Sequence, residues 1–159
     1  MPTLHLLCGL PGSGKTTAAR RLAAGTGAVV LNHDELMIAR HGVNPPAAEF
    51  AAFAAGVTEA LWQRAAVEFS AGRDVIFDWG FWTRAQRDEA RARGAALGVA
   101  CLLYWVDCSD EVAKARTLAR TREARAGALL INAEAWDVFR ARFEPPLADE
   151  AAVKLPANE

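Results

Sequence analysis

The sequence of 159 residues has few of the features that mark secreted or membrane proteins. Its three cysteines form no CxxC pair and show no metal-type spacing with histidine, so we interpret them as buried, reduced thiols. The longest apolar stretch, 95–106, contains Gly98 and is far shorter than the ~20 residues of a membrane helix. The amino-terminal apolar run lacks a basic leader and a cleavage site. We therefore predict a cytosolic protein without membrane contact.

Neither sign of charge is in excess. Lys and Arg number 18, Asp and Glu number 19, and the pI is near 6.3. This balance argues against a globally basic, nucleic-acid-binding surface and leaves room only for a local basic groove. Internal repeats, low-complexity tracts and Gly/Ser linkers are also missing. With 52% apolar residues, the composition predicts one globular domain over residues 1–159.

Short apolar runs alternate with longer helical patterns, which predicts a three-layer α/β/α fold with a parallel sheet of about five strands. The predicted strands are 4–8, 28–31, 75–77, 99–106 and an edge strand at 152–155. The run 99–106 is apolar enough to be buried on both faces. The predicted helices are 15–24, 34–40, a long helix starting at Pro45-Pro46, 84–97 capped by Thr83 and Gln86, a helix capped by Ser109, and 133–142.

One octapeptide carries a specific chemical signal. Between the first strand and the first helix stands Gly9-Leu10-Pro11-Gly12-Ser13-Gly14-Lys15-Thr16, followed by Thr17. This is the pattern of a phosphate-binding loop, in which glycines let backbone N–H groups approach a phosphate chain. Lys15 is expected to reach the β- and γ-phosphates of ATP or a similar nucleotide, and Thr16 to supply a hydroxyl to Mg²⁺.

Two classes of phosphate-loop protein are disfavoured by what the rest of the chain lacks. Guanine recognition normally uses an Asn/Thr-Lys-x-Asp element, and the sequence has no such tetrapeptide. Ring-forming ATPases normally carry an Asp-Glu pair after the acidic strand, whereas Asp78 is followed by Trp79. A kinase or a simple nucleotide-binding module then fits better.

Two aspartates follow predicted strands, at the sheet edge where reactive groups gather. Asp34 follows the second strand and is our candidate for the general base that takes the proton of an acceptor hydroxyl. The alternative is that it merely caps the following helix. Asp78 ends the third strand and either orients Mg²⁺ through water, binds the acceptor, or caps a turn.

Aromatic and basic residues supply the remaining candidates. Trp79, Phe81 and Trp82 either line a pocket for a planar acceptor or cover the edge of the core. Arg116 and Arg120 lie four residues apart on one helical face, followed by Arg122 and Arg125. They are expected to bind the nucleotide from a mobile flap, with Arg120 closing over the transferring group, unless they form a solvated basic face. We interpret Arg84, Arg87, Arg91 and Arg93 as surface residues.

These motifs together resemble the AAA_33-like phosphotransferase branch of the P-loop kinases. The resemblance covers about residues 4–120 and rests on the phosphate loop, Leu31-Asn32-His33-Asp34, the 75–78 strand followed by Thr83-Arg84-Ala85-Gln86-Arg87, and the 106–107 strand end before Arg116 and Arg120. That branch includes chloramphenicol 3-O-phosphotransferase, zeta-toxin kinases and the phage-type polynucleotide 5′-kinase domain. The resemblance implies an arginine-bearing lid, here about 116–135, and an aspartate base, here Asp34.

The acceptor is harder to predict. In the polynucleotide branch an arginine stands three residues after the base, whereas this chain has Met37 there and Arg40 one turn later. We therefore expect an ATP- and Mg²⁺-dependent kinase acting on a small hydroxyl compound, such as an antibiotic or a metabolite, bound beside Met37, Asp78 and the aromatic residues. A nucleoside or polynucleotide 5′-hydroxyl acceptor is the alternative, and an ATP-binding regulatory module without phosphotransfer is the alternative of another class. The sequence makes no prediction about oligomeric state.

Overall fold

Five parallel strands form a single sheet in the computed structural model of the protein, in the order β2-β3-β1-β4-β5. The structure describes residues 1–123 and 128–156. The strands are β1 (Thr3–Cys8), β2 (Val29–Asn32), β3 (Val75–Asp78), β4 (Ala100–Val106) and β5 (Val153–Leu155). The predicted α/β class and parallel sheet are confirmed, with β5 at an edge as expected.

Local sequence signals set the helix ends. The helices are α1 (Lys15–Thr26), α2 (His33–His41), α3 (Phe50–Ser70), α4 (Arg84–Ala96), α5 (Asp110–Arg122) and α6 (Ala133–Arg142), with a 3₁₀ turn at Ala148–Glu150. Thr83 and Gln86 form the predicted capping box of α4. Ser109 caps α5 by accepting a hydrogen bond from the Val112 N–H. In the described part of the chain, no helix is both long and apolar enough to cross a membrane.

The sheet is covered by helices on both faces. Alternate residues of β1, Leu4, Leu6 and Cys8, pack with α3 and α4 in the main core. Leu7 points the other way and packs with Ala19 of α1. Because β1 lies at the centre of the sheet, the loop after Cys8 emerges at the middle of its carboxyl edge, between the ends of β3 and β4.

Two predictions about element bounds and burial are wrong. The long helix begins at Phe50 rather than at the two prolines, and the intervening residues form turns in which the Glu49 N–H donates to the Pro46 carbonyl and the Phe50 N–H to the Ala47 carbonyl. Strand β4 is not buried on both faces, since Leu102 is 45% exposed. Its other face, which includes Leu103, packs in the main core, so the apolar run is covered on that side.

One of the four α4 arginines predicted to lie on the surface, Arg87, is fully buried. Its guanidinium donates two hydrogen bonds to the buried carboxylate of Glu150, at 2.7 and 3.1 Å. It donates a third hydrogen bond, at 2.9 Å, to the carbonyl of Phe81. The backbone of Phe81 has a φ of 47°, a conformation that non-glycine residues rarely adopt. The ion pair thus joins the carboxyl-terminal segment to the loop that follows β3, next to the phosphate loop.

Replacing Glu150 with alanine should lower the free energy of unfolding by about 3–5 kcal/mol, because Arg87 would stay buried without its counter-charge. Burial raises the pKa of Glu150, but hydrogen bonds from Arg87, the Leu147 N–H and Arg91 outweigh it and lower the value to about 2. The contribution of the pair should therefore be complete above the ordinary pKa of 4.5 and disappear as pH falls toward 2. Urea unfolding followed by circular dichroism at several pH values measures both effects.

The matched control is Asp137→Ala, which removes an exposed 2.7 Å pair with Lys114. It should cost less than about 1 kcal/mol. Equal losses in the two variants would contradict a structural role for the buried pair.

Candidate functional site

The predicted phosphate loop lies between β1 and α1, and residues 9–14 form a tight turn there. Gly12 and Gly14 have φ angles of 83° and 100°, which side-chain-bearing residues rarely adopt. Gly14 is the N-cap of α1 and brings no capping side chain, so the first N–H groups of the helix are not satisfied by a cap at that position. A helix start of this kind, preceded by a glycine-rich turn, is suited to bind phosphate oxygens.

Gly12 is also where the phosphate loop contacts helix α5. A Cβ atom added to Gly12 would overlap the carbonyl of Ala113 and the hydroxyl of Thr117, both on α5. Ala113 and Thr117 are buried, and the Thr117 hydroxyl donates to the Ala113 carbonyl at 2.9 Å. The loop and α5 therefore pack backbone against backbone, and this approach requires glycine.

Asp78, at the end of β3, joins two elements through one carboxylate oxygen. Its Oδ2 accepts a hydrogen bond from the Thr16 hydroxyl and another from the Asn32 side-chain amide, both at 2.8 Å. Asp78 is only 4% exposed. A carboxylate beside a threonine hydroxyl offers the hard oxygen atoms that Mg²⁺ prefers, and Mg²⁺ usually takes few ligands from protein and more from phosphates and water. Among residues 1–123 and 128–156, no group of three or more His, Cys, Asp and Glu side chains is placed to hold a metal ion.

Asp34 lies in the first turn of α2, beside the phosphate loop. The N-cap of that helix is Asn32, whose side-chain oxygen accepts from the Glu35 N–H at 2.9 Å, so capping does not occupy Asp34. The Asp34 side chain is exposed to solvent, yet the protein atoms around it raise its pKa by desolvation. The charges of Lys15 and Arg120 act in the opposite direction and favour the carboxylate. Desolvation outweighs these charges, so the net change in the Asp34 pKa is upward.

Lys15 and Arg120 lie close enough to Asp34 for their charges to act on its carboxylate. Burial lowers the pKa of Lys15, and the carboxylates of Asp78 and Asp34 partly offset that effect. The Lys15 ammonium donates to the Leu10 carbonyl at 2.9 Å, within its own loop. Arg120 is close enough to influence the pKa of both Lys15 and Asp34. Two cations and two carboxylates thus converge at the carboxyl ends of β1, β2 and β3.

The arginine segment only partly matches the sequence prediction. Arg116 and Arg120 are half-exposed on α5, which is packed on the phosphate loop rather than separated from it as a flap. Arg122 lies at the exposed end of the helix, and Arg125 falls outside the described residues. Thr17, also predicted to contact the nucleotide, is exposed in the first turn of α1.

Two residues predicted to line the acceptor pocket lie in the core instead. Met37 is fully buried and Phe81 is 6% exposed, and both belong to the main hydrophobic cluster. Met37 is turned inward because the apolar face of the short helix α2 packs against α3. Phe81 is held by the bond from Arg87 and stacks on Trp79 at 5.2 Å between ring centroids. Neither side chain is accessible to an acceptor here.

The two tryptophans of the same loop are half-buried and have hydrogen-bond partners. Trp79 stacks on Phe77 at 4.0 Å and donates its indole N–H to the Leu31 carbonyl at 3.1 Å. Trp82 donates its indole N–H to the carbonyl of Gly9, also at 3.1 Å. Both indoles therefore support neighbouring backbone, and Trp79 also packs against the main core.

Sequence reasoning missed two residues of this region. Asn32 is one of them, although asparagine directly before a helical pattern is a favoured N-cap and the role can be recognised from that position. Trp136 of α6 donates its indole N–H to the Pro11 carbonyl at 3.1 Å. No local sequence pattern predicts that contact, because Trp136 and Pro11 are 125 positions apart.

Comparisons with known proteins identify a family and a fold. The family model AAA_33, described as an AAA domain, matches residues 4–146. None of the curated proteins matches the chain. Among solved structures, a kinase candidate from Chloroflexus aurantiacus is 21% identical with a TM-score of 0.75, and covers 98% of this chain and 87% of its own.

Two further structures have the same fold. Kti12 from Chaetomium thermophilum, solved with ADP-AlF3, is 20% identical with a TM-score of 0.74, covering 96% of this chain and 88% of its own. A gluconokinase from Sinorhizobium meliloti is 16% identical with a TM-score of 0.66, and the match covers 99% of this chain and 84% of the gluconokinase chain. At these identities the likeness establishes the fold, which is one that holds a nucleotide in the Kti12 complex.

Replacing Gly12 with alanine should abolish measurable nucleotide binding, because the new methyl group would push the phosphate loop away from α5 and strain a positive φ. Isothermal titration with ATP and Mg²⁺ measures the effect. Gly25→Ala is the control, since Gly25 lies within α1 with no atom within 4 Å of an added Cβ. That variant should bind normally and be more stable by about 0.5–1 kcal/mol. Normal binding by Gly12→Ala would refute the close packing.

Proposed function

The chain belongs to the AAA_33 family, as the resemblance in its sequence predicted, and we propose that it is an ATP- and Mg²⁺-dependent kinase that phosphorylates a hydroxyl group of a small molecule. The observation that carries this proposal is the position of Asp34. Asp34 is exposed in the first turn of α2, is not used for capping, and is close enough to Lys15 and Arg120 for their charges to act on its carboxylate.

The donor side would hold the triphosphate of ATP. The backbone N–H groups of residues 9–16 and the start of α1 would bind phosphate oxygens, and Lys15 would exchange its bond to Leu10 for one to the β- and γ-phosphates. Thr16 and Asp78 would hold Mg²⁺, Thr16 directly and Asp78 through water. Their 2.8 Å hydrogen bond supports this role for Asp78 over direct binding of the acceptor. When bound, the ion supplies charge neutralisation on the phosphates.

The transfer step follows from this arrangement. The acceptor hydroxyl oxygen forms a bond to the γ-phosphorus while the bond from that phosphorus to the β,γ-bridging oxygen breaks. Asp34 takes the hydroxyl proton, and ADP leaves with the bridging oxygen. Arg120, with Arg116 one turn away on α5, would stabilise the charge on the transferring group.

The charges on the acceptor side support a small molecule rather than a polynucleotide. In α2 and the loop before α3, the exposed charged side chains include Asp34, Glu35, Arg40 and Glu49, of which three are acidic. A phosphate backbone is bound by clusters of Lys and Arg. Met37, which stands where the polynucleotide branch has an arginine, is buried in the core.

An acceptor screen tests the proposal. Purified protein is incubated with ATP labelled at the γ-phosphate and with panels of sugars, hydroxyl-bearing antibiotics, nucleosides and 5′-hydroxyl oligonucleotides, and products are identified by mass. We expect transfer to members of a small-molecule panel. Transfer to oligonucleotides alone would replace the proposal by the polynucleotide alternative. ATP binding without transfer to any panel would favour a regulatory module.

Asp34→Asn should lower kcat by about 10²- to 10⁴-fold and leave the dissociation constant of ATP nearly unchanged, because the proton acceptor is lost and the donor site is not. Since the protein raises the pKa of Asp34 above its ordinary 3.8, the wild-type rate should fall as pH drops through that raised pKa, where the base becomes protonated. The variant should lack this acidic limb. Steady-state kinetics across pH measures both.

The matched control is Glu35→Gln, which changes the neighbouring exposed carboxylate in the same helical turn. Its activity and pH profile should resemble those of the wild type. Full activity in Asp34→Asn would exclude Asp34 as the base.

A further inference from the structure

Three consecutive carbonyl groups of the phosphate loop, those of residues 9–11, have specific hydrogen-bond partners. The Gly9 carbonyl accepts from the indole N–H of Trp82, and the Pro11 carbonyl accepts from the indole N–H of Trp136, each at 3.1 Å. Between them, the Leu10 carbonyl accepts from Lys15 and from the Ser13 N–H. Two tryptophans therefore flank the one carbonyl that loses a partner when Lys15 moves to a phosphate.

The orientation of these carbonyls decides whether the loop can bind an anion. A peptide unit directs its N–H and its C=O to opposite sides, so N–H groups that face a phosphate require carbonyls that face the protein. Gly9 and Leu10 are buried, and a buried carbonyl without a partner is costly. An indole N–H is donor-only and sits on a rigid ring, so it can hold a carbonyl in one direction.

The two tryptophans come from different elements and are joined by aromatic packing. Trp82 follows β3 and packs on Phe139 of α6, with 4.6 Å between ring centroids. Phe139 lies one turn after Trp136 on the same helix. Trp136 is 3% exposed and packs with Leu10 and Ala113. Helix α6 thus contacts the phosphate loop at one indole directly and at the other through Phe139.

We propose that Trp82 and Trp136 are positioning residues of the nucleotide site, which keep the phosphate loop in its anion-binding conformation from the side opposite to the phosphates. The inference rests on the proposed function only in that the loop binds ATP. When either indole N–H is missing, the loop populates other conformations, and the apparent dissociation constant of ATP rises in inverse proportion to the fraction that keeps the anion-binding conformation. Helix α6, outside the phosphate site itself, then contributes to nucleotide affinity.

Phenylalanine substitutions test this by removing each N–H while retaining an aromatic ring. Trp82→Phe and Trp136→Phe should each weaken ATP binding by about 3- to 10-fold in isothermal titration, as expected for one hydrogen bond. The control is Trp62→Phe, a buried tryptophan of α3 that packs on Phe77 in the main core. It should lower Tm without changing ATP affinity by more than about twofold. Unchanged ATP affinity in Trp82→Phe and Trp136→Phe, or an equal loss in Trp62→Phe, would overturn the proposal.

A measurement on the unaltered protein avoids any dependence on the stability of the variants. In ¹⁵N-labelled wild-type protein, ADP with Mg²⁺ should shift the indole N–H resonances of Trp82 and Trp136 and leave that of Trp62 in place. No shift at Trp82 and Trp136 would contradict the proposal. Because binding is measured without an acceptor, a failed acceptor screen would remove the proposed kinase activity and leave this result standing.

Discussion

A single oxygen atom, Oδ2 of Asp78, links the two halves of the site. It receives hydrogen bonds from Thr16, in the helix that follows the phosphate loop, and from Asn32, the cap of the helix that carries Asp34. Asp78 is almost completely buried, so these charge-assisted bonds replace its lost hydration. The position of Asp34 relative to the loop therefore depends on a carboxylate at the end of a central strand.

The elements on either side of Asp78 are held by separate contacts. On the donor side, Gly12 packs on α5, which brings Arg116 and Arg120 with it. On the acceptor side, the imidazole of His33 lies 3.2 Å from the Ala54 carbonyl and 3.1 Å from the Thr58 hydroxyl, which attaches α2 to α3. The contacts on the donor side and those on the acceptor side therefore meet at the ends of β2 and β3.

Features determined by nearby residues could be predicted from the sequence. The phosphate loop, the capping box of Thr83 and Gln86, and the alternation of strands and helices are all local patterns. The assignment of Asp34 was ambiguous because asparagine and aspartate both cap helices, and the choice depended on β2 extending one residue further than predicted, to Asn32. That single residue decides whether Asp34 is a cap or stays available for chemistry.

Features determined by distant residues could not be predicted. Arg87 lies among alternating charges, a pattern typical of a solvated helix face, and its partner Glu150 is 63 positions away. Trp82 and the Gly9 carbonyl are 73 positions apart. From the sequence, the position of Trp79, Phe81 and Trp82 directly after β3 suggests an acceptor pocket, whereas in the structure the two indoles support backbone and Phe81 fills the core.

The central claim is that phosphoryl transfer is directed at a hydroxyl beside Asp34, and a crystal structure with ADP, Mg²⁺ and aluminium fluoride tests it most directly. We expect the open apical position of the aluminium, opposite the oxygen of ADP, to face the Asp34 carboxylate, with an acceptor hydroxyl or a water within hydrogen-bond reach of both. We also expect Arg120 to contact the fluoride ligands. An apical position directed away from Asp34, toward another side chain, would contradict the assignment of the base and with it the direction of transfer.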